Sequence, residues 1–274
     1  MNASQTERPD PPATEVAVRM EVARDLAIAG GQLALGYFRR EDLEVHSKAD
    51  TSPVTVADRS TEQFLREQIG LKFPSDGILG EEYDERPGES GFRWIVDPID
   101  GTKTFIRGVP LWGTMVAVEF AGRAVIGAMS FPALDEHIYA ATGQKCWYQQ
   151  GDSAPRLATV SAVDRWEDCL FCVTDAASFA RQGRGDVYAA IEGSAWISRS
   201  WGDCYGYLLV ATGRAEVMID AIMNVWDAAA LQPIIEEAGG TFTDFQGNRT
   251  IDAGEGIATN GRLLEKVLDV TRGT

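Results

Sequence analysis

Two carboxylates three residues apart, Asp97 and Asp100, sit in the segment Trp94-Ile-Val-Asp97-Pro-Ile-Asp100-Gly-Thr102-Lys-Thr-Phe105. Acids brought this close at the end of an apolar strand repel one another unless a cation lies between them. Hard oxygen ligands of this kind suit Mg2+, which is often shared between carboxylates and a substrate phosphate. Pro98 stiffens the turn between the acids, and Gly101 lets the backbone approach a ligand closely. Thr102 opens a short helix whose unpaired N–H groups favour an anion. Ligands for a metal beside donors for an anion point to phosphate chemistry. Taken alone, Asp97-Pro and Asp100-Gly also read as ordinary turn sequences.

Other acids occupy similar places. Glu81 and Glu82 end a short strand after Gly80, Asp58 lies at a helix start, and Asp227 opens a helix. For Asp58 and Asp227 the competing reading is capping or the helix dipole. Glu82 is read as a solvated acid or as a support behind the metal ligands. Cys169 and Cys172 form the one CxxC, with only His46 and His137 elsewhere, so buried thiols are expected rather than a zinc site.

The elements that must position these groups follow from periodicity. Thr14–Phe38 has helical apolar spacing. Residues 39–56 read as a loop or weak hairpin, and a second helix runs from Thr55 to about Ile69. Strands are expected at 77–80 and 93–96, the latter ending at Asp97, followed by a hairpin over 113–132 and a strand at 137–141. After a turn at 151–156, short strands alternate with helices over 178–191, 205–212 and 226–238, the last stopped by Gly239-Gly240. Residues 1–12 read as a disordered lead-in. The halves 13–150 and 151–274 are expected to form one compact unit, the first with most metal ligands and the second with substrate determinants and Asp227.

The chain has 274 residues and a net charge of −16. Each half contributes −8, with 23 acids against 15 bases in residues 1–150 and 18 against 10 in residues 151–274. The acidic excess disfavours nucleic acid and anionic membrane as partners. Neither a signal peptide nor a transmembrane run is visible, so the expected address is the cytoplasm. An acidic protein should also repel phosphorylated substrates, unless bound metal ions reverse the local sign.

In order along the chain come Lys48 with Pro53-Val-Thr-Val-Ala-Asp58, Gly80-Glu81-Glu82, the 97–102 segment, and Trp226-Asp227-Ala-Ala-Ala before Glu237-Ala-Gly-Gly240. This set resembles the inositol-monophosphatase-like family of metal-dependent, lithium-sensitive phosphatases. The resemblance implies an α+β fold layered as an αβαβα sandwich, a homodimer, and hydrolysis of a small phosphomonoester with two to three Mg2+ per site. It further implies that Glu81, Asp97 and the Ile99 carbonyl hold one metal, and that Asp97, Asp100 and Asp227 hold a second. Asp58 and Thr102 would orient or deprotonate the attacking water, with Glu81 helping from the metal side. Gly101 and Thr102 would cradle the phosphate, while Lys48 and Glu82 would support the ligands from behind. One departure is Thr104, where many members carry Asn; it is expected to tune the site without abolishing activity.

The run Arg199-Ser-Trp201-Gly202-Asp203-Cys204-Tyr205 resembles the histidinol-phosphatase branch, as does the stretch leading to Asp220. Histidinol phosphate carries an ammonium and an imidazole, so its pocket should offer carboxylates and an aromatic face. Asp203, Asp220 and Trp201 supply those, Gly202 adjoins them, Asp227 also faces substrate, and Arg199 could reach the phosphate. Inositol monophosphate or a broad range of monophosphates is the alternative. An inactive scaffold of the same fold would show gaps in the carboxylate set, and there are none.

Overall fold

The computed structural model describes residues 10–48 and 52–273. The expected disordered lead-in lies mostly outside them. The first half runs through α1 (Ala13–Leu35), β1 (Val45–Ser47), β2 (Pro53–Thr55), α2 (Val56–Lys72), β3 (Gly77–Gly80), β4 (Phe92–Asp100) and α3 (Thr102–Ile106). It continues with β5 (Gly113–Phe120), β6 (Arg123–Phe131), β7 (Glu136–Ala141), β8 (Cys146–Gln150) and β9 (Arg156–Leu157). Strands β3 to β9 lie side by side in chain order as a seven-stranded sheet, antiparallel except for the β3–β4 pair. The β5–β6 turn uses Ala121 and Gly122, both at positive φ, as a two-residue hairpin requires.

The second half contains β10 (Leu170–Val173), α4 (Ala176–Arg181), α5 (Gly185–Ser194), β11 (Ile197–Arg199), α6 (Asp203–Ala211) and β12 (Val217–Asp220). Then follow α7 (Val225–Ala228), α8 (Leu231–Glu237), β13 (Thr241–Thr243), β14 (Gly256–Thr259) and α9 (Leu264–Arg272). The second sheet has the order β11-β10-β12-β14-β13.

Side-chain alternation along the strands builds the layers. From β4, Trp94 and Val96 pack with Leu26 and Ala27 of α1 and with Leu65 and Ile69 of α2. Ile95 points the other way, into a core shared with Leu208 of α6 and Ile234 of α8. Cys172 and Met218 close that same core from the second sheet. The outer face of this sheet, with Phe171 and Val217, packs on Phe179, Val187, Ile191 and Val267. The result is the expected αβαβα sandwich. Cys169 and Cys172 fall on opposite faces of the second sheet, so the CxxC spacing cannot gather two thiols around one metal.

Several boundaries differ from the sequence reading. Strand β4 does not end at Asp97 but continues through Pro98 to Asp100, with a register slip against β5 between the two acids. The Pro98 carbonyl accepts the Thr114 hydroxyl at 2.7 Å. Strand β8 had no clear signal, and β9 pairs back onto it across the 151–156 turn. The helix expected over 178–191 is split by Gly183 at φ +70°. The helix expected over 226–238 breaks at Ala229–Ala230, because Pro233 cannot donate and crowds the carbonyl four residues back. Gly127 of β6 lies beneath that break: a Cβ there would come within 2.1 Å of the Ala230 carbonyl oxygen.

Candidate active site

The end of β4 and the start of α7 meet so that Asp97, Asp100 and Asp227 each offer a carboxylate oxygen within 4.8 Å of the others. The register slip makes this possible: in a regular strand, residues three apart face opposite sides. The Ile99 N–H donates to Asp97 at 3.0 Å, and Asp227 accepts the Asn224 N–H at 2.7 Å across the cap of α7. The Cys204 N–H, at the start of α6, donates to Asp100. Burial, then the charges of Glu81, Asp100 and Asp227, hold Asp97 well above the usual carboxylate range. Asp100 is raised likewise by burial and by Asp203 and Asp227, and Asp227 chiefly by burial. Three acids at this spacing, Asp97 buried and the other two half-buried, with Lys48 acting on Asp227 alone, form a hard-oxygen site of the kind a divalent ion relieves.

Asp58 and Thr102 are joined directly. Thr55 caps α2, with its N–H and hydroxyl both donating to one oxygen of Asp58, at 2.8 and 2.6 Å. Thr102 Oγ1 lies 3.2 Å from the other oxygen and 3.1 Å from the Ile99 carbonyl. Asp58 is therefore both a cap and a partner of Thr102. Its fully buried carboxyl is raised by burial against the pull of Thr55.

Glu81 turns toward Lys48, whose Nζ lies 2.6 Å from Glu81 and 2.5 Å from Glu82. Burial, opposed by Lys48, pushes Glu81 up to about 7. The Glu82 N–H is held by Glu62 at 2.7 Å, and Glu62 in turn by Arg66 at 2.7 Å. Gly80 is required here, since a Cβ would sit 2.2 Å from a Glu62 oxygen.

The two further acids meet over Thr174, in the loop after β10. Its hydroxyl accepts the Asp203 N–H at 2.8 Å, and its N–H donates to Asp220 at 3.2 Å. Asp203, at φ +52°, leans over Gly101 and accepts the Thr104 hydroxyl at 3.1 Å. Asp220 also accepts the Tyr207 hydroxyl at 3.0 Å. Burial dominates both acids, raising Asp203 to about 6 and Asp220 to about 7.

Three cavities converge on Asp203. One of about 70 Å³ reaches Asp100, Asp220 and Asp227; one of about 150 Å³ reaches Glu81, Gly101 and Thr102. The largest, about 450 Å³, is lined by Lys103, Arg107, Thr174 and Gly202 among others. Arg199 and Trp201 lie outside these linings, at the end of edge strand β11, where the guanidinium stands 6.0 Å from the indole ring and Trp201 is 39% exposed.

Sequence reasoning missed Glu62, Thr174 and Arg107. Glu62 had a signal, four residues after Asp58 and therefore on the same helix face. Arg107 caps α3 one turn after Lys103 and Thr104, so helix spacing was its signal. Thr174 had none, because only the packing of one half against the other brings it to the site.

The sequence matches the Inositol monophosphatase family over residues 15–273. It is 43% identical to a histidinol-phosphatase of Chlorobaculum parvum over 249 residues, 91% of this chain and 94% of that protein. To a histidinol-phosphatase of Mycobacterium tuberculosis it is 36% identical, over 90% of this chain and 95% of that one. Among solved structures, an IMPase of Thermotoga maritima superposes with a TM-score of 0.83 at 27% identity, covering 93% of this chain and 97% of that one. This chain belongs to the inositol monophosphatase family. It is a metal-dependent phosphomonoesterase of that family, with a candidate acidic metal site at Asp97, Asp100 and Asp227.

Proposed function

We propose that the substrate is L-histidinol phosphate, hydrolysed to L-histidinol and phosphate with Mg2+, as a step in histidine biosynthesis. The observation that carries this reading is the pair Asp203 and Asp220, two carboxylates held on Thr174 beside the metal acids. They offer charge to an ammonium at a distance from the phosphate. The two relatives called histidinol-phosphatases support the same substrate.

Asp97, Asp100 and Asp227 would hold one ion, and Glu81, Asp97 and the Ile99 carbonyl another. When bound, Mg2+ supplies Lewis acidity toward water and phosphate oxygens. Asp58, fixed by Thr55 through one oxygen, keeps the other for the Thr102 hydroxyl. That relay can orient a water and accept its proton at Asp58. Gly101, whose φ of +87° only glycine adopts readily, keeps the backbone open to the phosphate. Lys48 steadies Glu81 and Glu82. The two halves act as one unit, the first holding most of the metal ligands and the second supplying Asp227 and reading substrate. We also expect a cytoplasmic homodimer, which light scattering would test; no helix is long and apolar enough to cross a membrane among the described residues.

A broader range of monophosphates, inositol 1-phosphate included, is favoured by one feature: the largest of the three cavities at Asp203 mixes Lys103 and Arg107 with that acid. Turnover with Mg2+ on histidinol phosphate, myo-inositol 1-phosphate, fructose bisphosphate and adenosine bisphosphate separates the readings. Histidinol phosphate should give the highest kcat/KM. A strong preference for inositol phosphate sinks the histidine reading.

A further inference from the structure

On another part of the molecule, the β5–β6 turn and the loop after β13 enclose a cavity of about 210 Å³. Gln232 of α8 lines it together with Arg123, Arg249, Thr250 and Asp252. Gln232 is 2% exposed, and its Nε2 has no hydrogen-bond partner. A buried amide donor left unpaired is costly, whereas an apolar side chain of the same shape would not be.

The walls carry both signs of charge. Arg249 gives Nε and Nη2 to Glu236 at 2.6 and 2.7 Å, which leaves its third nitrogen uncommitted to that acid. Arg123 is paired with Asp10 at 2.9 Å. Asp252 has no cation at ion-pair distance among the described residues. Asp252 is the one acid in the lining, and both guanidiniums are already ion-paired from behind, to Asp10 and Glu236, so the walls do not favour a multiply charged anion such as phosphate. A simple ammonium ligand, in turn, would leave the Gln232 N–H without an acceptor. A molecule carrying both groups answers both walls.

We propose that this cavity binds a small zwitterion of the α-amino-acid class, its carboxylate toward Gln232 and Arg249 and its ammonium toward Asp252. The volume suits a ligand of that size. None of the lining residues belongs to the acid cluster, although α8 begins four residues after Asp227.

Thermal unfolding and calorimetric titration of the whole protein with glycine and L-alanine test this, with acetate and methylammonium as single-charge controls. At ten times Kd, either amino acid should raise Tm by roughly 3 °C, and each control by less. Gln232→Leu and Asp252→Asn should lose that rise while keeping wild-type turnover, and Gln232→Leu should be no less stable than wild type without ligand. If acetate matches the amino acids, or both variants keep the shift, the proposal is overturned. A Gln232 amide satisfied by water alone gives no shift with any probe, and that outcome overturns it too.

Discussion

At the scale of single residues, the site is a set of acids that each answer to more than one neighbour. Asp97 stands among Glu81, Asp100 and Asp227, and its own side chain makes one backbone hydrogen bond within two residues. Asp97→Asn should therefore leave the fold intact while removing about 4 kcal/mol of transition-state stabilisation, roughly a thousandfold in kcat. Turnover with Mg2+ alongside the melting temperature checks this; near-normal activity would refute the metal assignment. Thr174 has a different task. Thr174→Val keeps the shape but strips the acceptor from the Asp203 N–H, at a cost of about 1–3 kcal/mol. Under the histidinol-phosphate reading, KM for that substrate should rise about tenfold, with a smaller change for a neutral phosphomonoester. Equal changes on both would mean that Asp203 does not read the ammonium.

Elements are held in place by close approaches and by one buried ion pair. Gly127→Ala drives a methyl into the Ala230 carbonyl, between α7 and α8. Overpacking of this kind costs about 1–3 kcal/mol, and it should also weaken metal binding because Asp227 lies on α7. Denaturant midpoints and a Mg2+ titration read the two effects separately. Elsewhere, Arg19 of α1 meets Asp76, just before β3, through Nε at 2.9 Å and Nη2 at 3.0 Å. Ser90 and Trp94 also donate to Asp76, and Arg19 lies 3.9 Å from the centre of the Phe92 ring. Asp76→Ala leaves the buried guanidinium with only the exposed Glu15 as acid partner and strands the Ser90 and Trp94 donors, so it should destabilise by about 3 kcal/mol with little effect on KM.

For the whole molecule, the decisive quantity is the charge gathered at the centre. Burial raises Asp97, Asp100, Asp203, Asp220 and Glu81, the last two to about 7. An acid raised in the folded state binds more protons there than in the unfolded chain. Its contribution to stability therefore falls as pH climbs from the unfolded value, about 4, through the folded one. Metal-free protein should lose Tm between about pH 4 and pH 7 on this account, and Mg2+ should restore it. The gain in Tm on adding Mg2+ should grow across the same window; a gain independent of pH would contradict this picture of the site. The overall charge of −16 is thus compatible with an anionic substrate, since the acids that repel phosphate are also those that collect cations.

The sequence by itself determined the acid inventory and most of the elements that carry it. Local chemistry wrote these features: Thr55 and Asp58 as a capping pair, Ala121-Gly122 as a hairpin turn, and the alternation in β4 that separates two cores. The family and the layered sandwich were legible because several such motifs occur in one order. Three things depended on contacts that span the chain. The slip between Asp97 and Asp100 arises from pairing with β5, so the strand appeared to stop where it only bends. Pro233 hid a helix break that the apolar pattern ran straight through. The meeting of Asp203 and Asp220 over Thr174 needs the second sheet packed beside the first, and no spacing in the sequence encodes it. Periodicity reports which face a residue takes, whereas the distance between two faces is set only when the layers close.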